Sequence, residues 1–149
     1  MILSDEAATA AVAAALAAVV RPGDVIALSG GLGAGKTTLV RHLLTALGHR
    51  GDVPSPSFAI VQPYDDLTPP VWHADLYRIE DPADLAEIGL DSAGDEALLV
   101  VEWPERAGPR AWPDALRLTL DITGPEQRRL TAQVPAAWEG RWPPPPLSR

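Results

Sequence analysis

The sequence predicts an α/β fold with a mainly parallel central sheet flanked by helices, and three observations predict it. Val25-Ile-Ala-Leu-Ser29 is a short apolar run followed at once by a glycine-rich loop and then a helical pattern. Leu98-Leu-Val-Val is a second such run and ends on Glu102. Continuous apolar strands of this kind are buried on both faces, as strands of a parallel sheet covered by helices are. The third observation is a change of pattern near the end of the chain. Residues 115–122 and 129–134 alternate apolar and polar around Thr123-Gly124-Pro125, which predicts a C-terminal antiparallel hairpin.

The chain has 149 residues, 46% of them hydrophobic, enough for one core. One domain over 1–142 is expected, followed by a proline-rich tail, 143–149, that is extended and disordered. The formal charge of -8 argues against a broad polyanion-binding face, so direct nucleic-acid binding is not expected. With no cysteine there is neither a disulfide framework nor a thiolate metal site, and a cytoplasmic location is expected.

Residues 7–20 are alanine-rich and almost wholly apolar, but Asp5 and Glu6 precede them and the run is too short to span a bilayer. A helix is expected there, with no role at a membrane. Ser4 or Asp5 can cap its first turn, and Arg21-Pro22-Gly23 stops it.

The loop Gly30-Gly-Leu-Gly-Ala-Gly-Lys-Thr37 has the spacing G-x-x-x-x-G-K-T between a strand and a helix expected over 38–47, and so predicts a P-loop NTPase fold. The spacing has a chemical reason. Glycines let successive N–H groups curl around phosphate oxygens, and the following helix presents its positive end. Lys36 reaches the β and γ phosphates, and the Thr37 hydroxyl ligates magnesium. Lys36 is the only lysine in a chain whose other cationic side chains, histidine aside, are arginines, so lysine stands at the one place that calls for a compact ammonium.

Such a site needs an acid at the end of a neighbouring buried strand to position magnesium or water. Glu102 ranks first as that ligand, and Asp75, after Val71-Trp-His-Ala74, ranks second as a water-positioning or supporting group. Trp103, directly after Glu102, falls at the nucleotide. Val53-Pro-Ser-Pro-Ser-Phe58 cannot be helical; Ser55 and Ser57 are candidates for a switch loop that senses the γ-phosphate, and a rigid connection is the equal alternative. Residues 81–89 read as a short surface helix with proline at its first turn.

Other signals carry less. Asp91-Ser-Ala-Gly94 imitates a GTPase switch but does not follow a strand. The chain has no asparagine, hence no N-K-x-D guanine reader, and ATP is expected over GTP. His42, His49 and His73 lack metal-ligand spacing and take surface or core roles, and Trp72 and Trp112 are packing residues.

These motifs stand together in one order: Gly-Gly-Leu-Gly-Ala-Gly-Lys-Thr-Thr38, Ser-Pro-Ser-Phe58, His-Ala-Asp-Leu-Tyr-Arg78, Asp-Pro-Ala-Asp-Leu85 and Val-Glu-Trp-Pro-Glu105. Over residues 3–134 the chain resembles the TsaE (YjeE) family, the bacterial P-loop ATPase of the machinery that makes threonylcarbamoyladenosine in tRNAs reading codons beginning with adenine. The resemblance implies that Gly33, Ala34, Gly35, Lys36, Thr37 and Thr38 grip the phosphates of ATP, that Thr37 and Glu102 hold Mg2+, and that Asp75 and Trp103 support hydrolysis. It also implies that Glu6, Thr9 and Arg128 lie close to the adenine. The partners implied are the TsaD transferase and its TsaB companion, which carry the transfer chemistry and meet tRNA. The ATPase resets their complex and is weak alone.

Two positions depart from the family pattern, Gly31 where aspartate is usual and Ser57 where threonine is usual; they bear on hydrolysis rate and its regulation. From the residues alone, a P-loop small-molecule kinase and a nucleotide-gated docking module without turnover remain open.

Overall fold

A computed structural model describes residues 1–54, 61–84, 95–108 and 110–142. Seven strands form one sheet: β1 (Ile2–Leu3), β2 (Val25–Ser29), β3 (Val61–Tyr64), β4 (Val71–Asp75), β5 (Leu98–Glu102), β6 (Leu116–Ile122) and β7 (Arg128–Gln133), in the spatial order β1-β7-β6-β2-β5-β4-β3. The two α-helices among the described residues are α1 (Glu6–Ala17) and α2 (Lys36–Ala46).

The sheet is mixed and not mainly parallel. β2 pairs in parallel with β5 and β6, and β4 in parallel with β5. The pairs β6·β7, β1·β7 and β3·β4 are antiparallel. Parallel pairing is confined to the centre, where the apolar runs predict it. The flanks differ because β3–β4 and β6–β7 are each consecutive strands that turn back on themselves, and the two-residue β1 adds to β7. β3 carries Pro63, whose missing N–H an edge tolerates. At the other edge, the chain leaves β1 and enters α1 within three residues, where the Asp5 side chain accepts from the Ala8 N–H at 2.9 Å.

The central strands alternate between two cores. Val71, Leu98, Val100, Ile26, Leu28, Leu116, Leu118 and Leu120 pack with Val12 and Leu16 of α1 and Leu39, Val40, Leu43 and Leu44 of α2. The opposite face of β4 and β5 buries Ala74, Leu99 and Val101 with Leu76 and Ile79, and half-buried Trp72, Trp103 and Trp112 lie against them. Trp72 and Trp112 are thus packing residues, as expected.

The hairpin falls where the alternation places it, within a residue at each end of each strand. Beyond it, a 3-10 turn (Ala136–Trp138) tucks Trp138 completely into the first core. Of the expected helix at 81–89, a 3-10 turn over Pro82–Asp84 is described. The rest of it, Ser55, Ser57, the 91–94 motif and the tail 143–149 lie outside the described residues. No helix among the described residues is long and apolar enough to cross a membrane.

Candidate functional site

β2, β4 and β5 end side by side, and the parallel register brings their last residues together. Leu28 pairs with Glu102, and Asp75 pairs with Glu102. In adjacent parallel strands paired residues point to the same face, so the two carboxylates share the face covered by α2. Both are nearly removed from solvent, at 7% exposure for Asp75 and 2% for Glu102. Buried charges at strand ends need partners.

The start of α2, reached through the loop after β2, supplies one for Glu102. Gly30 turns away from β2 at φ +143°, so close to β6 that a Cβ there would stand 2.5 Å from the Leu120 carbonyl oxygen. Gly35 enters the helix at φ +104° and caps it with no side chain, so the first-turn N–H groups of α2 are left to another acceptor. Gly31 has open space around its Cβ position.

Thr37, in the first turn of α2, donates from its hydroxyl to Glu102, with Oε1 at 3.0 Å and Oε2 at 3.1 Å. On the other side of the same carboxylate, His73 Nε2 lies 2.6 Å from Oε2. His73 and Asp75 alternate onto one face of β4, which puts the imidazole diagonally across from Glu102. Asp75 accepts from the Tyr77 N–H at 3.0 Å, a local turn that ends β4.

Lys36 is 5% exposed. Its ammonium donates to the carbonyls of Gly30 and of Gly31, the latter at 3.0 Å, and sits 4.2 Å from the Trp103 ring centre. Burial pushes this ammonium below the ordinary lysine range, while the carboxylates of Glu102, Asp75 and Glu105 pull the other way. Trp103 reaches that position through a left-handed backbone, φ 58° and ψ 49°, its N–H donating to Leu28 O at 3.2 Å. A tryptophan held there is strained. The turn aims its ring at the loop, where Tyr77 leans on it at 4.9 Å between centroids.

Two clefts flank the loop. The first, ≈ 390 Å³, is lined by Gly33, Ala34, Gly35, Lys36, Thr37, Thr38, Asp75, Glu102 and Trp103, together with Leu32, Tyr77 and Arg78. The second, ≈ 440 Å³, is lined by Glu6, Thr9 and Arg128 with Asp5, Ala7, Pro125 and Glu126, and shares Gly35 and Thr38 with the first. The described candidate residues therefore fall into two adjoining groups. Within the second, Glu6 pairs with His42 of α2 at 3.3 Å, and Arg128 donates to four backbone carbonyls.

Sequence reasoning missed His73, Tyr77 and Arg78 as parts of the site. For His73 the signal was present, since a residue two before a strand-end acid on a buried strand shares its face. Tyr77 and Arg78 follow the strand end and carry no periodic signal.

The oxygen donors of Thr37 and Glu102, with Asp75 beside them, suit a hard divalent cation such as Mg2+. No group of three or more histidine, cysteine, aspartate or glutamate residues among the described residues could hold a metal ion. Magnesium seldom needs one, because substrate phosphates and water complete its shell.

Fold and site together define a class: a single-domain α/β protein whose mixed seven-stranded sheet carries a glycine-rich loop and two neighbouring acids at the ends of its central strands. Residues 3–131 match the family model described as threonylcarbamoyl adenosine biosynthesis protein TsaE, and the chain belongs to that family. It is 43% identical over 136 residues to the tRNA threonylcarbamoyladenosine biosynthesis protein TsaE of Streptomyces coelicolor, covering 80% of this chain and 92% of that one. It is 36% identical over 124 residues to the protein of the same name in Bacillus subtilis, covering 83% and 77%. Among solved structures, the crystal structure of Bacillus subtilus YdiB superposes with a TM-score of 0.74 at 30% identity, covering 89% of this chain and 82% of that one. The family acts in tRNA threonylcarbamoyladenosine biosynthesis.

Proposed function

We propose that this protein is a P-loop ATPase that binds ATP with Mg2+ in the first cleft, its base in the second, and hydrolyses it in the service of threonylcarbamoyladenosine formation on tRNAs reading codons beginning with adenine. The observation that carries the reading is the contact between Thr37 at the start of α2 and Glu102 at the end of β5. It joins the loop's hydroxyl to a buried acid at the point where phosphates held by the loop would end.

The chemistry assigned to each residue follows from where it sits. The first-turn N–H groups of α2, which no N-cap side chain engages, bind phosphate oxygens. Lys36 neutralises charge on the transferring phosphoryl group, its ammonium swinging from the carbonyls of Gly30 and Gly31. Thr37 and Glu102 hold Mg2+, which supplies Lewis-acid stabilisation of developing phosphate charge. Asp75, one strand over, positions the attacking water. Trp103 covers the site from the far side and limits access of bulk water.

Turnover is weak in the isolated protein and coupled when it docks on the complex of the TsaD transferase with TsaB. Those partners, and not this chain, transfer the threonylcarbamoyl group and contact tRNA. A chain of charge -8 is poorly suited to hold tRNA unaided.

The test is ATP turnover by the purified protein, with and without TsaD and TsaB, for wild type, Lys36→Ala and Glu102→Gln. Turnover lost in both variants, with partner-dependent support of repeated tRNA modification, is the expected result. ATP bound but never hydrolysed in any condition would overturn the enzyme reading and leave a nucleotide-gated docking module.

A further inference from the structure

Arg128 opens β7 on the far side of the second cleft, and its guanidinium is spent on backbone. Nε donates to Ala34 O at 3.1 Å and Nη2 to Gly33 O at 3.3 Å, both in the glycine-rich loop. Nη1 donates to Gly124 O at 3.2 Å and Gln127 O at 3.0 Å, both in the turn between β6 and β7. One planar group thus ties the loop to a hairpin 94 residues away in sequence.

The effect on the loop follows from peptide geometry. In a trans peptide the C=O and the next N–H point in opposite directions. Fixing the Ala34 carbonyl toward Arg128 therefore aims the Gly35 N–H away from it, toward the first cleft that Gly35 also lines. The Gly33 carbonyl is held in the same way, although the Ala34 N–H behind it closes a turn onto Gly31 O at 3.2 Å. A cation on these carbonyls also polarises the peptide units, making the N–H ends better donors to an anion.

We propose that Arg128 is a positioning residue for the phosphate-binding loop, acting through the carbonyls of Gly33 and Ala34, and not a reader of the base. The proposal rests on the nucleotide-binding reading above. It makes the turn at 124–127 a mechanical support of phosphate binding, although that turn lies on the base side of the loop.

The test compares equilibrium binding of Mg-ATP, Mg-GTP and inorganic tripolyphosphate to wild type, Arg128→Lys and Arg128→Gln. Lysine keeps the charge but cannot bridge both pairs of carbonyls from one planar fork. Both variants are expected to lose affinity on the order of tenfold, by the same factor for all three ligands, as loss of charge-assisted hydrogen bonds would cause. A change in the ATP-to-GTP ratio with tripolyphosphate binding intact would overturn the proposal and make Arg128 a base contact. Full recovery in Arg128→Lys would overturn it in favour of simple charge attraction, and Arg128→Lys also serves should Arg128→Gln fail to fold. Variants that bind all three ligands as wild type does, with only a lower melting temperature, would make Arg128 a structural tie. Wild type binding neither ATP nor tripolyphosphate would refute the nucleotide reading itself and the positioning role with it.

Discussion

His73 Nε2 lies 2.6 Å from Glu102 Oε2, and the two side chains are buried together at 0% and 3% exposure. A carboxylate only accepts, so the ring N–H is the donor, and Nδ1 has no hydrogen-bond partner among the described residues. Oε2 is thus shared between the imidazole and the Thr37 hydroxyl, at 3.1 Å from the latter, while Oε1 lies 3.0 Å from that hydroxyl. The bond from His73 fixes the orientation of the carboxylate.

The first prediction concerns that orientation. His73→Leu removes the donor to a buried carboxylate, a hydrogen bond worth about 1.5–3 kcal/mol. ATP turnover should fall about ten- to a hundredfold and need more Mg2+ for half-maximal rate. His73→Gln can place an amide N–H near the same point and should recover most of it. Mg2+ titrations of turnover in the two variants check this. Equal losses in both would show that ring shape matters and donation does not.

A second prediction follows from Lys36. Its folded pKa lies below the ordinary 10.5 because of burial, so above that lowered value the protein without nucleotide has begun to lose the proton. Bound phosphates favour the charged form and restore it. Nucleotide binding is then coupled to proton uptake at alkaline pH, and ATP affinity should fall as pH rises through the alkaline range. In Lys36→Ala this limb of the pH profile should be absent, although overall affinity is lower. Calorimetry in buffers of different ionisation enthalpy reads the proton uptake directly.

Much of this arrangement was legible in the sequence, for identifiable reasons. β2, α2 and the loop between them could be read because glycine spacing, an apolar run and helical periodicity agree there. Glu102 and Asp75 were legible as strand-end acids, since parallel strands place such residues at one edge of the sheet. The pairing of Ile2–Leu3 with β7 was not, because two residues carry no period. The inward turn of Trp138 was also hidden: its neighbours are prolines, alanines and charges, and only the tertiary core explains its burial. Arg128 lines the second cleft with Glu6 and Thr9, but nothing in a sequence says that a side chain will be used up on distant carbonyls.

A third prediction separates two adjacent glycines. Gly30→Ala brings a Cβ 2.5 Å from the Leu120 carbonyl oxygen at φ +143°, so loop or β6 must move. The expected cost is about 1–3 kcal/mol of stability, with weakened ATP binding. A Cβ at Gly31 meets no heavy atom within 4 Å, and Gly31→Asp should leave the melting temperature close to wild type. Thermal melts of both, with and without Mg-ATP, check the contrast.

The last prediction lies away from the site, at the end of the described chain. Arg141 holds Asp24 with two bonds, Nη1 to Oδ2 at 2.6 Å and Nη2 to Oδ1 at 3.0 Å, and also donates to Val19 O and Ala137 O. The side chains are 9% and 11% exposed, and the guanidinium lies 4.2 Å from the centre of the buried Trp138 ring. This clasp ties the segment after β7 to the turn that leads from α1 into β2, the strand that presents the loop. Removing one partner strands a poorly solvated charge, so Arg141→Ala should cost about 3–5 kcal/mol. Asp24→Asn with Arg141→Gln replaces both charges and should cost clearly less than the two single changes added together. Denaturant unfolding of the four proteins in that cycle measures the coupling. Simple additivity would mean that burial of Trp138, and not the ion pair, holds the C-terminal segment in place.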